Sequence, residues 1–138
     1  MNKTVFITGG SRGIGAAAVR LFYSRGYRTA FSFKDSADKA EQLKAELCGV
    51  FPVRGDVSSE DDVKRMISEV TSHFGKIDIL VNNAGISSFG LVTDITSAEW
   101  KKIFDVNVYG TFLAVKYVLP QMISRKCGKI INISSMWG

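Results

Sequence analysis

The sequence has 138 residues, of which 46 % are hydrophobic, and its formal net charge is +5 at pH 7. This length fits a single domain, and this apolar content is sufficient for a packed core. No apolar run is long enough to cross a membrane and no secretory leader precedes the first predicted strand, so we expect a cytoplasmic protein without a membrane partner. The two cysteines, Cys48 and Cys127, are too few for a disulfide framework.

The positive net charge raises the question of a nucleic-acid partner. The lysines and arginines are scattered along the chain, however, without a basic run or interleaved aromatic residues. A solvated surface with some attraction for an anionic cofactor explains this distribution better. We therefore expect no nucleic-acid partner, and the sequence predicts no metal site.

Predicted strands and helices alternate along the whole chain, without an internal repeat or a linker. The strands are predicted at residues 4–7, 27–33, 50–53, 77–81 and 128–135. Helical patterns lie between them, and the last is a long helix from residue 97 to about residue 124 that Pro120 should bend or end. Alternating strands and helices are typical of a parallel sheet covered on both faces, so we predict an α/β fold.

Capping residues and apolar spacing support these helices. Thr96 and Glu99 form a capping box, Ser58 or Ser59 precedes the third helix, and Asp35–Ser36 offers a cap for the second. Apolar residues recur at helical spacing in the first helix (Ile14, Ala17, Ala18, Leu21 and Phe22) and in the long helix (Trp100, Ile103, Phe104, Val108, Phe112, Val115 and Leu119). Both sets predict amphipathic helices that cover the sheet.

Glycines are concentrated in the stretch Thr8–Gly15, where the first strand turns into the first helix. Glycine adopts positive φ and permits close backbone approach, and the free N–H groups of a first helical turn attract phosphate. The glycines follow G-x-x-x-G-x-G rather than G-x-G-x-x-G, and Ala16–Ala17 stand where a Walker loop needs Lys and Ser/Thr. The stretch therefore predicts a site for a nucleotide pyrophosphate and argues against an ATPase. A glycine-rich turn without a ligand is the alternative.

Other polar residues follow the later strands. Asp56 comes after the third strand, Asn82–Asn83 after the fourth, and Ser134–Ser135 at the end of the fifth. Ligands of doubly wound sheets bind at the carboxyl ends of the strands, beside the switch in strand order. We therefore expect these residues and the glycine turn to lie at one edge of the sheet.

Together these motifs resemble the short-chain dehydrogenase/reductase family. Its pattern T-G-x-x-x-G-x-G matches residues 8–15, and its N-N-A-G matches residues 82–85. The resemblance covers the whole chain, and Ser11–Arg12 is most similar to the NADPH-using reductases of the 3-oxoacyl carrier-protein type. It implies a Rossmann-like doubly wound parallel sheet with five strands in the order 3-2-1-4-5. It also implies one domain over residues 1–138, truncated before the last strands of the family.

The resemblance also implies a cofactor site. Backbone N–H groups of Ser11–Ile14 would bind the phosphates, Asp56 would accept a hydrogen bond from the adenine amino group, and the Val57 N–H would reach a ring nitrogen. Asn83–Gly85 would line the adenosine, and the alternative for Asp56 is an acid that only stabilises a turn. The residues implied for the cofactor are Gly9, Ser11, Arg12, Gly13, Ile14, Gly15, Lys34, Asp56, Val57, Asn83, Ala84 and Gly85.

The end of the second strand bears on the choice of cofactor. NAD enzymes place an acid there to bind the ribose 2′-hydroxyl. The resemblance places that position at Phe33, followed by Lys34, and both Lys34 and Arg12 would attract a 2′-phosphate. We therefore predict NADP(H) rather than NAD(H), and we interpret the nearby Asp35 as the cap of the next helix.

The resemblance further implies that Ser135 binds the substrate carbonyl and that Asn107, in the long helix, holds a water of a proton relay. A satisfied buried amide is the alternative for Asn107. The family's proton donor is a tyrosine with a lysine four residues on, and none of the four tyrosines here has one. We expect a reductase of ketones, or the reverse alcohol oxidation, that forms homo-oligomers when complete and is inactive as this chain alone. A dinucleotide-binding module without chemistry is the alternative.

Overall fold

In residues 2–137, which the computed structural model describes, five short strands form one parallel sheet. The strands are β1 (Thr4–Ile7), β2 (Arg28–Phe33), β3 (Phe51–Arg54), β4 (Ile79–Asn82) and β5 (Lys129–Asn132). Their order across the sheet is β3-β2-β1-β4-β5, and every neighbouring pair is parallel. The predicted Rossmann-like α/β fold and its strand order are therefore confirmed.

Helices fill the connections between the strands. They are α1 (Gly13–Ser24), α2 (Ala37–Glu46), α3 (Glu60–Phe74), α4 (Ser97–Phe104) and α5 (Gly110–Arg125). Ser59 caps α3, and the capping box of Thr96 and Glu99 begins α4, as predicted. The interpretation of Asp35 as a cap is wrong, because the N-cap of α2 is Ser36.

The helices cover both faces of the sheet and enclose two apolar clusters. Successive residues of a strand point to opposite faces, so β1 serves both clusters. Phe6 packs with residues of α3 and α5, such as Val70 and Val118, whereas Val5 and Ile7 pack with residues of α1 and α2. Strands β1, β2 and β4 are therefore buried on both faces, which holds their carboxyl ends in fixed positions, whereas β5 is largely exposed.

Helix α1 buries only part of its predicted apolar set against the sheet. Ala18 and Phe22 pack on the core, whereas Ile14 is 69 % exposed and Leu21 is also exposed. Gly15 and Ala16 are buried because small side chains allow the start of the helix to approach the backbone before it closely. The predicted apolar spacing therefore identified the helix and part of its buried side.

The predicted long helix is interrupted by a π-helical turn at Asp105–Tyr109, between α4 and α5. Its second part continues past Pro120 to Arg125, so the expectation that Pro120 might end the helix is wrong. Proline removes one backbone hydrogen bond, to the carbonyl of Lys116 four residues before it. Both Pro120 and Lys116 are exposed, so water can hydrate that carbonyl and the helix persists.

The π-turn also shifts the apolar face of the long helix. A π-turn inserts one residue relative to an α-helical turn, which rotates the following face by about 100°. The buried residues of α5 are Gly110, Leu113, Ala114, Val118 and Met122. Trp100, Phe104, Val108 and Phe112 of the predicted apolar set are exposed instead. The apolar residues of this helix therefore lie on two faces, one buried against the sheet and one exposed, and not on the single face that was predicted.

Strand β5 is shorter than the predicted segment 128–135, because regular pairing with β4 ends at Asn132. The N–H of Ile133 still donates to the carbonyl of Asn82 at 3.0 Å, and Ser134 and Ser135 follow in the loop.

Cys48 and Cys127 are free and exposed. Within residues 2–137, no helix combines the length and the apolar character that a membrane span requires.

Candidate functional site

A cavity of about 660 Å³ lies at the carboxyl ends of β1, β2, β3 and β4. All of the residues predicted to bind a cofactor line it, from the glycine turn through Lys34 and Asp56–Val57 to Asn83–Gly85. The two predicted catalytic residues, Asn107 and Ser135, do not line it among the residues described. The cavity therefore gathers the predicted nucleotide-binding residues at the edge of the sheet where they were expected.

The glycine turn shapes one wall of the cavity. Gly9 and Gly13 adopt φ values of +64° and +56°, which most side chains avoid. The first hydrogen bond within α1 runs from the N–H of Ala16 to the carbonyl of Arg12 at 3.2 Å. The N–H groups that precede Ala16 in the first turn therefore have no partner inside the helix, and they lie at the wall of the cavity.

The glycine turn packs directly on the loop that follows β4. A Cβ added at Gly9 would lie 2.9 Å from the Cα of Ala84, and one added at Gly15 would lie 2.6 Å from Nδ2 of Asn83. That same Nδ2 donates to the carbonyls of Thr8 and Gly9 at 3.1 and 3.0 Å. These glycines are needed for close approach between two loops, in addition to the conformation of the turn.

Thr8 and Ser32 hold this arrangement in place with their hydroxyl oxygens. Oγ1 of the buried Thr8 accepts from the N–H groups of Asn83 and Ala84, both at 3.0 Å. Oγ of the buried Ser32 accepts from the N–H of Gly9 at 3.1 Å. The sequence analysis gave neither side chain a role. A polar residue inside an otherwise apolar strand was the available signal for Ser32.

Lys34 and Asp56 form an ion pair across the cavity, with Nζ and Oδ2 3.2 Å apart. The other carboxylate oxygen, Oδ1, accepts from the N–H and the hydroxyl of Ser58 at 2.9 and 2.6 Å. Partial burial raises the pKa of Asp56, but the hydrogen bonds from Ser58 and the charge of Lys34 outweigh this effect. The pKa of Asp56 therefore lies below its ordinary value, and its carboxylate is ionised at neutral pH.

Asn107 lies in the π-helical turn and contacts the cavity through Ile86. Its Oδ1 accepts from the N–H of Ile86, and its Nδ2 donates to the carbonyl of Ile86, each at 2.8 Å. Ile86 lines the cavity directly after Gly85. The amide of Asn107 therefore fixes the loop after β4 to the π-helical turn.

The sequence and the fold of this chain are similar to those of known proteins. The profile of the family described as short chain dehydrogenase matches residues 3–138. The chain belongs to the short-chain dehydrogenase family. It is 40 % identical over 142 residues to a 3-oxoacyl-(acyl-carrier-protein) reductase FabG of Staphylococcus epidermidis, covering 100 % of this chain and 58 % of the relative.

Two further matches extend this similarity. An L-fucose dehydrogenase of Mus musculus is 42 % identical over 137 residues, covering 99 % of this chain and 50 % of the relative. A solved structure of a mutant short-chain dehydrogenase/reductase of Serratia marcescens has a TM-score of 0.88 and 33 % identity, covering 97 % of this chain and 56 % of that one. The chain thus spans only a little more than half the length of the proteins that it matches.

Ser135, the predicted substrate-binding residue of this dehydrogenase family member, is exposed in the loop after β5. Its Oγ accepts from the N–H of Trp137 at 3.1 Å. The structure therefore places Ser135 beyond the carboxyl end of β5, and Ser135 does not line the cavity among the residues described.

Several residues that line the cavity were missed by the sequence analysis: Ser32, Lys39, Gly55, Ile86, Lys102 and Val106, together with Asp35, which was interpreted as a cap. Lys39 and Lys102 add positive charge from α2 and α4. Their positions follow from the way that the helices pack, which no local motif encodes.

In the part of the chain that the structure describes, no group of His, Cys, Asp and Glu side chains is arranged to hold a metal ion.

Proposed function

We propose that residues 1–138 are the dinucleotide-binding domain of an NADPH-dependent oxidoreductase that reduces a ketone to a secondary alcohol, or catalyses the reverse reaction. The observation that carries this proposal is the cavity, which is lined by the glycine turn, four cationic side chains and the residues assigned to the adenosine. The similarity to a 3-oxoacyl reductase and the Ser11–Arg12 pair favour a 3-oxoacyl-type ketone as the substrate.

The turn before α1 fits the diphosphate of such a cofactor. Its unpaired N–H groups carry the partial positive charge of the helix N-terminus, which favours an anion. An added Cβ at Gly13 would meet no described atom within 4 Å, so the space above the turn is open to a ligand. Backbone donors of Ser11, Gly13 and Ile14 are therefore proposed to hold the two phosphates.

The charges around the ribose favour NADP(H) over NAD(H). Arg12 and Lys34 line the cavity, and Phe33 stands where the NAD enzymes of the family have an acid. Lys39 and Lys102 add two further cations, whereas Asp35 and Asp56 in the same lining oppose a phosphate. Because four cations outnumber these two carboxylates, we propose that the 2′-phosphate is accepted.

A bound nicotinamide would supply the hydride, and the residues of the chain would orient the reacting groups. Ser135 is proposed to donate a hydrogen bond to the substrate carbonyl and to stabilise the developing alkoxide. Asn107 is proposed to hold a water of a proton relay. Its side-chain amide also bonds to both backbone groups of Ile86, and its backbone carbonyl accepts from the hydroxyl of Thr111 at 3.2 Å.

A dinucleotide-binding module without chemistry is the second candidate. It is favoured by the tyrosines at positions 23, 27, 109 and 117, none of which is followed four residues later by a lysine. Under either function, the 138-residue chain should bind NADPH and turn over no ketone by itself. Turnover by this chain would exclude the module, whereas turnover by a longer chain carrying the same residues would establish the enzyme.

Titration with the reduced cofactors tests the proposed site. NADPH should bind saturably, with a change in its fluorescence and a raised melting temperature of the protein, and NADH should bind more weakly. Arg12→Gln should weaken NADPH binding and leave NADH binding largely unchanged. Arg25→Gln is the matched control, because Arg25 follows the C-terminus of the same helix and does not line the cavity among the described residues. A folded protein that binds neither cofactor would refute the proposal.

We also propose that the protein associates with further copies of itself. The exposed apolar stripe, defined as Trp100, Phe104, Val108 and Phe112, runs along α4, the π-turn and the start of α5. The rings of Trp100 and Phe104 stack with centroids 4.8 Å apart, so part of the stripe is already ordered. A contiguous apolar surface of this kind is typical of an interface.

A further inference from the structure

The ion pair of Lys34 and Asp56 occupies two side chains that the proposed function assigns to different parts of the ligand. Lys34 directly follows β2 and Asp56 lies two residues beyond β3, and these neighbouring strands are paired as far as Phe33 and Arg54. The two side chains therefore meet at one point of the cavity wall, with Nζ and Oδ2 3.2 Å apart. Any ligand contact made by Lys34 is made in competition with this carboxylate.

The surroundings allow the Lys34 side chain to change partners while the backbone stays in place. Nε of Arg54 donates to the carbonyl of Lys34 at 3.0 Å, and the N–H of Gly55 donates to the carbonyl of Phe33 at 2.9 Å. The side chain of Lys34 is 54 % exposed and that of Asp56 is 28 % exposed, so water screens their attraction. A partly hydrated pair of this kind contributes little free energy and can be exchanged for a better partner.

Asp56 can also change partners at only one of its oxygens. Its Oδ1 accepts two hydrogen bonds from Ser58, which close a local turn. The backbone N–H of Asp56 donates to Oδ2 of Asp62 at 2.8 Å, which fixes the residue to α3. Its own Oδ2 faces Lys34, so this is the contact that a competing phosphate would break.

We propose that Asp56 sets the discrimination between phosphorylated and unphosphorylated ribose by competing with the 2′-phosphate for Lys34. This inference rests on the proposed function, since it requires an adenine nucleotide in the cavity. A nucleotide without the 2′-phosphate leaves Lys34 on Asp56. A nucleotide with the phosphate draws Lys34 away from Asp56, while the contacts of the adenine are the same for both nucleotides. The dianionic phosphate is a stronger partner for an ammonium group than one partly hydrated carboxylate.

The test compares 2′,5′-ADP with 5′-AMP, because the ratio of their dissociation constants isolates the 2′-phosphate from the rest of the ligand. The wild-type protein should favour 2′,5′-ADP, and Lys34→Gln should abolish most of this preference. Asp56→Asn should increase the preference about two- to five-fold, the range expected for removing a partly exposed ion pair. Asparagine keeps an Oδ1 that can accept from Ser58, so the local turn can form in the variant. Asp56→Ser is the second variant if Asp56→Asn does not fold.

A double variant separates competition for Lys34 from a general effect of negative charge. In the Lys34→Gln background, Asp56→Asn should leave the ratio unchanged, because no ammonium remains to be released. An equal increase in both backgrounds would overturn the proposal, since it would mean that Asp56 only repels the phosphate at a distance. Glu46→Gln is the matched control, because it neutralises the carboxylate of an exposed ion pair with Arg20 outside the described cavity wall and should not alter the ratio.

The remaining outcomes separate this inference from the proposed function. A wild-type protein that binds neither nucleotide would overturn both. A wild-type protein that prefers 2′,5′-ADP while Asp56→Asn and Asp56→Ser leave its preference unaltered would overturn the inference and support the proposed cofactor. A wild-type protein that binds both nucleotides equally would also overturn the inference, because Lys34 would then make no contact with the 2′-phosphate.

Discussion

The side-chain amide of Asn107 forms hydrogen bonds with both backbone groups of Ile86, its Oδ1 accepting from the N–H and its Nδ2 donating to the carbonyl, each at 2.8 Å. Asn107 belongs to the π-helical turn, and Ile86 belongs to the loop at the mouth of the cavity. A side-chain amide replaces here the backbone partner that Ile86 would have in a strand. The helix and the loop are therefore fixed to each other at one residue pair.

Replacing Asn107 with alanine should loosen this loop. The variant loses two hydrogen bonds, and we expect the free energy of unfolding to fall by about 1 to 3 kcal/mol in urea denaturation. Binding of NADPH should weaken several-fold, because Ile86 and Gly85 would no longer be held at the cavity. Wild-type affinity in a folded Asn107→Ala protein would contradict this role.

A matched control exists at the opposite end of the sheet. The amide of Gln121 also makes two hydrogen bonds, accepting from the N–H of Ile77 at 2.8 Å and donating to the hydroxyl of Thr71 at 3.1 Å. Gln121→Ala should lower the stability by a similar amount and leave NADPH binding unchanged. A comparable loss of binding in both variants would mean that reduced stability, and not the position of the loop, explains the effect.

The hydroxyl oxygen of Thr8, rather than the size of its side chain, is expected to stabilise the folded protein. Thr8→Val keeps the shape of the buried side chain but leaves the N–H groups of Asn83 and Ala84 without their acceptor. We expect a loss of about 1 to 3 kcal/mol in the free energy of unfolding, measured by chemical denaturation. Thr8→Ser retains the hydroxyl and should retain more of the stability than Thr8→Val. Equal losses in the two variants would mean that the hydroxyl contributes no more to stability than the methyl group that serine lacks.

The sequence predicted most of the fold because the fold depends on repeated local patterns. Each strand is a short apolar segment and most helices have clear ends, so alternation alone indicated the parallel sheet. The π-turn at Asp105–Tyr109 was not predicted, because an inserted residue leaves no mark in composition. The buried face of α1 was predicted only in part: Ala18 and Phe22 pack on the core as expected, but the close approach at Gly15 and Ala16 was not considered.

The residues that line the cavity were easier to predict than their hydrogen-bond and ion-pair partners. Residues of the cavity wall follow recognisable motifs, so the glycine turn and Asn83–Gly85 were identified. The pairs that organise the wall join residues more than 20 positions apart, such as Ser32 with Gly9 and Lys34 with Asp56. Such pairs depend on the three-dimensional register of neighbouring strands. Lys34 was therefore expected to be free for a phosphate, whereas the structure pairs it with a carboxylate.

Gly15 is expected to tolerate no side chain. A Cβ at this position would collide with the backbone carbonyl oxygen of Gly9 and would lie 2.6 Å from Nδ2 of Asn83. Gly15→Ala should therefore displace the glycine turn, destabilise the protein by about 1 to 3 kcal/mol and abolish NADPH binding. Gly90→Ala is the control, since a Cβ there would meet no described atom within 4 Å. Normal binding by Gly15→Ala would show that the turn can move without loss of function.

The contact between α3 and α5 should make stability depend on pH. Lys116 and Tyr117 donate hydrogen bonds to Glu60 at 2.7 and 2.6 Å, and these bonds lower the pKa of Glu60. A carboxylate with a lowered pKa stabilises the fold above its unfolded pKa of about 4.3, and this contribution is lost as the pH falls through the folded value. The difference in unfolding free energy between wild type and Glu60→Gln should therefore be largest near neutral pH and shrink in acid.

The partners of Glu60 provide the control for this pH dependence. In a Lys116→Gln/Tyr117→Phe background, Glu60 has lost both donors, so adding Glu60→Gln should produce no further change of slope with pH. The measurement is the unfolding free energy between about pH 7 and pH 3 for the four proteins. A slope that persists without the two donors would assign the effect to a different group.

The exposed apolar stripe should mediate the proposed self-association. Phe112 is 55 % exposed and stacks on Tyr109, with ring centroids 6.0 Å apart. Placing a charge in a buried apolar contact between two copies is costly, so Phe112→Asp should shift sedimentation equilibrium toward monomer at all protein concentrations. Leu21→Asp is the matched control, because Leu21 is equally exposed at 55 % but lies on α1, away from the stripe. Association that is weakened equally by both substitutions would locate the interface elsewhere, and a wild-type protein that stays monomeric would refute the self-association.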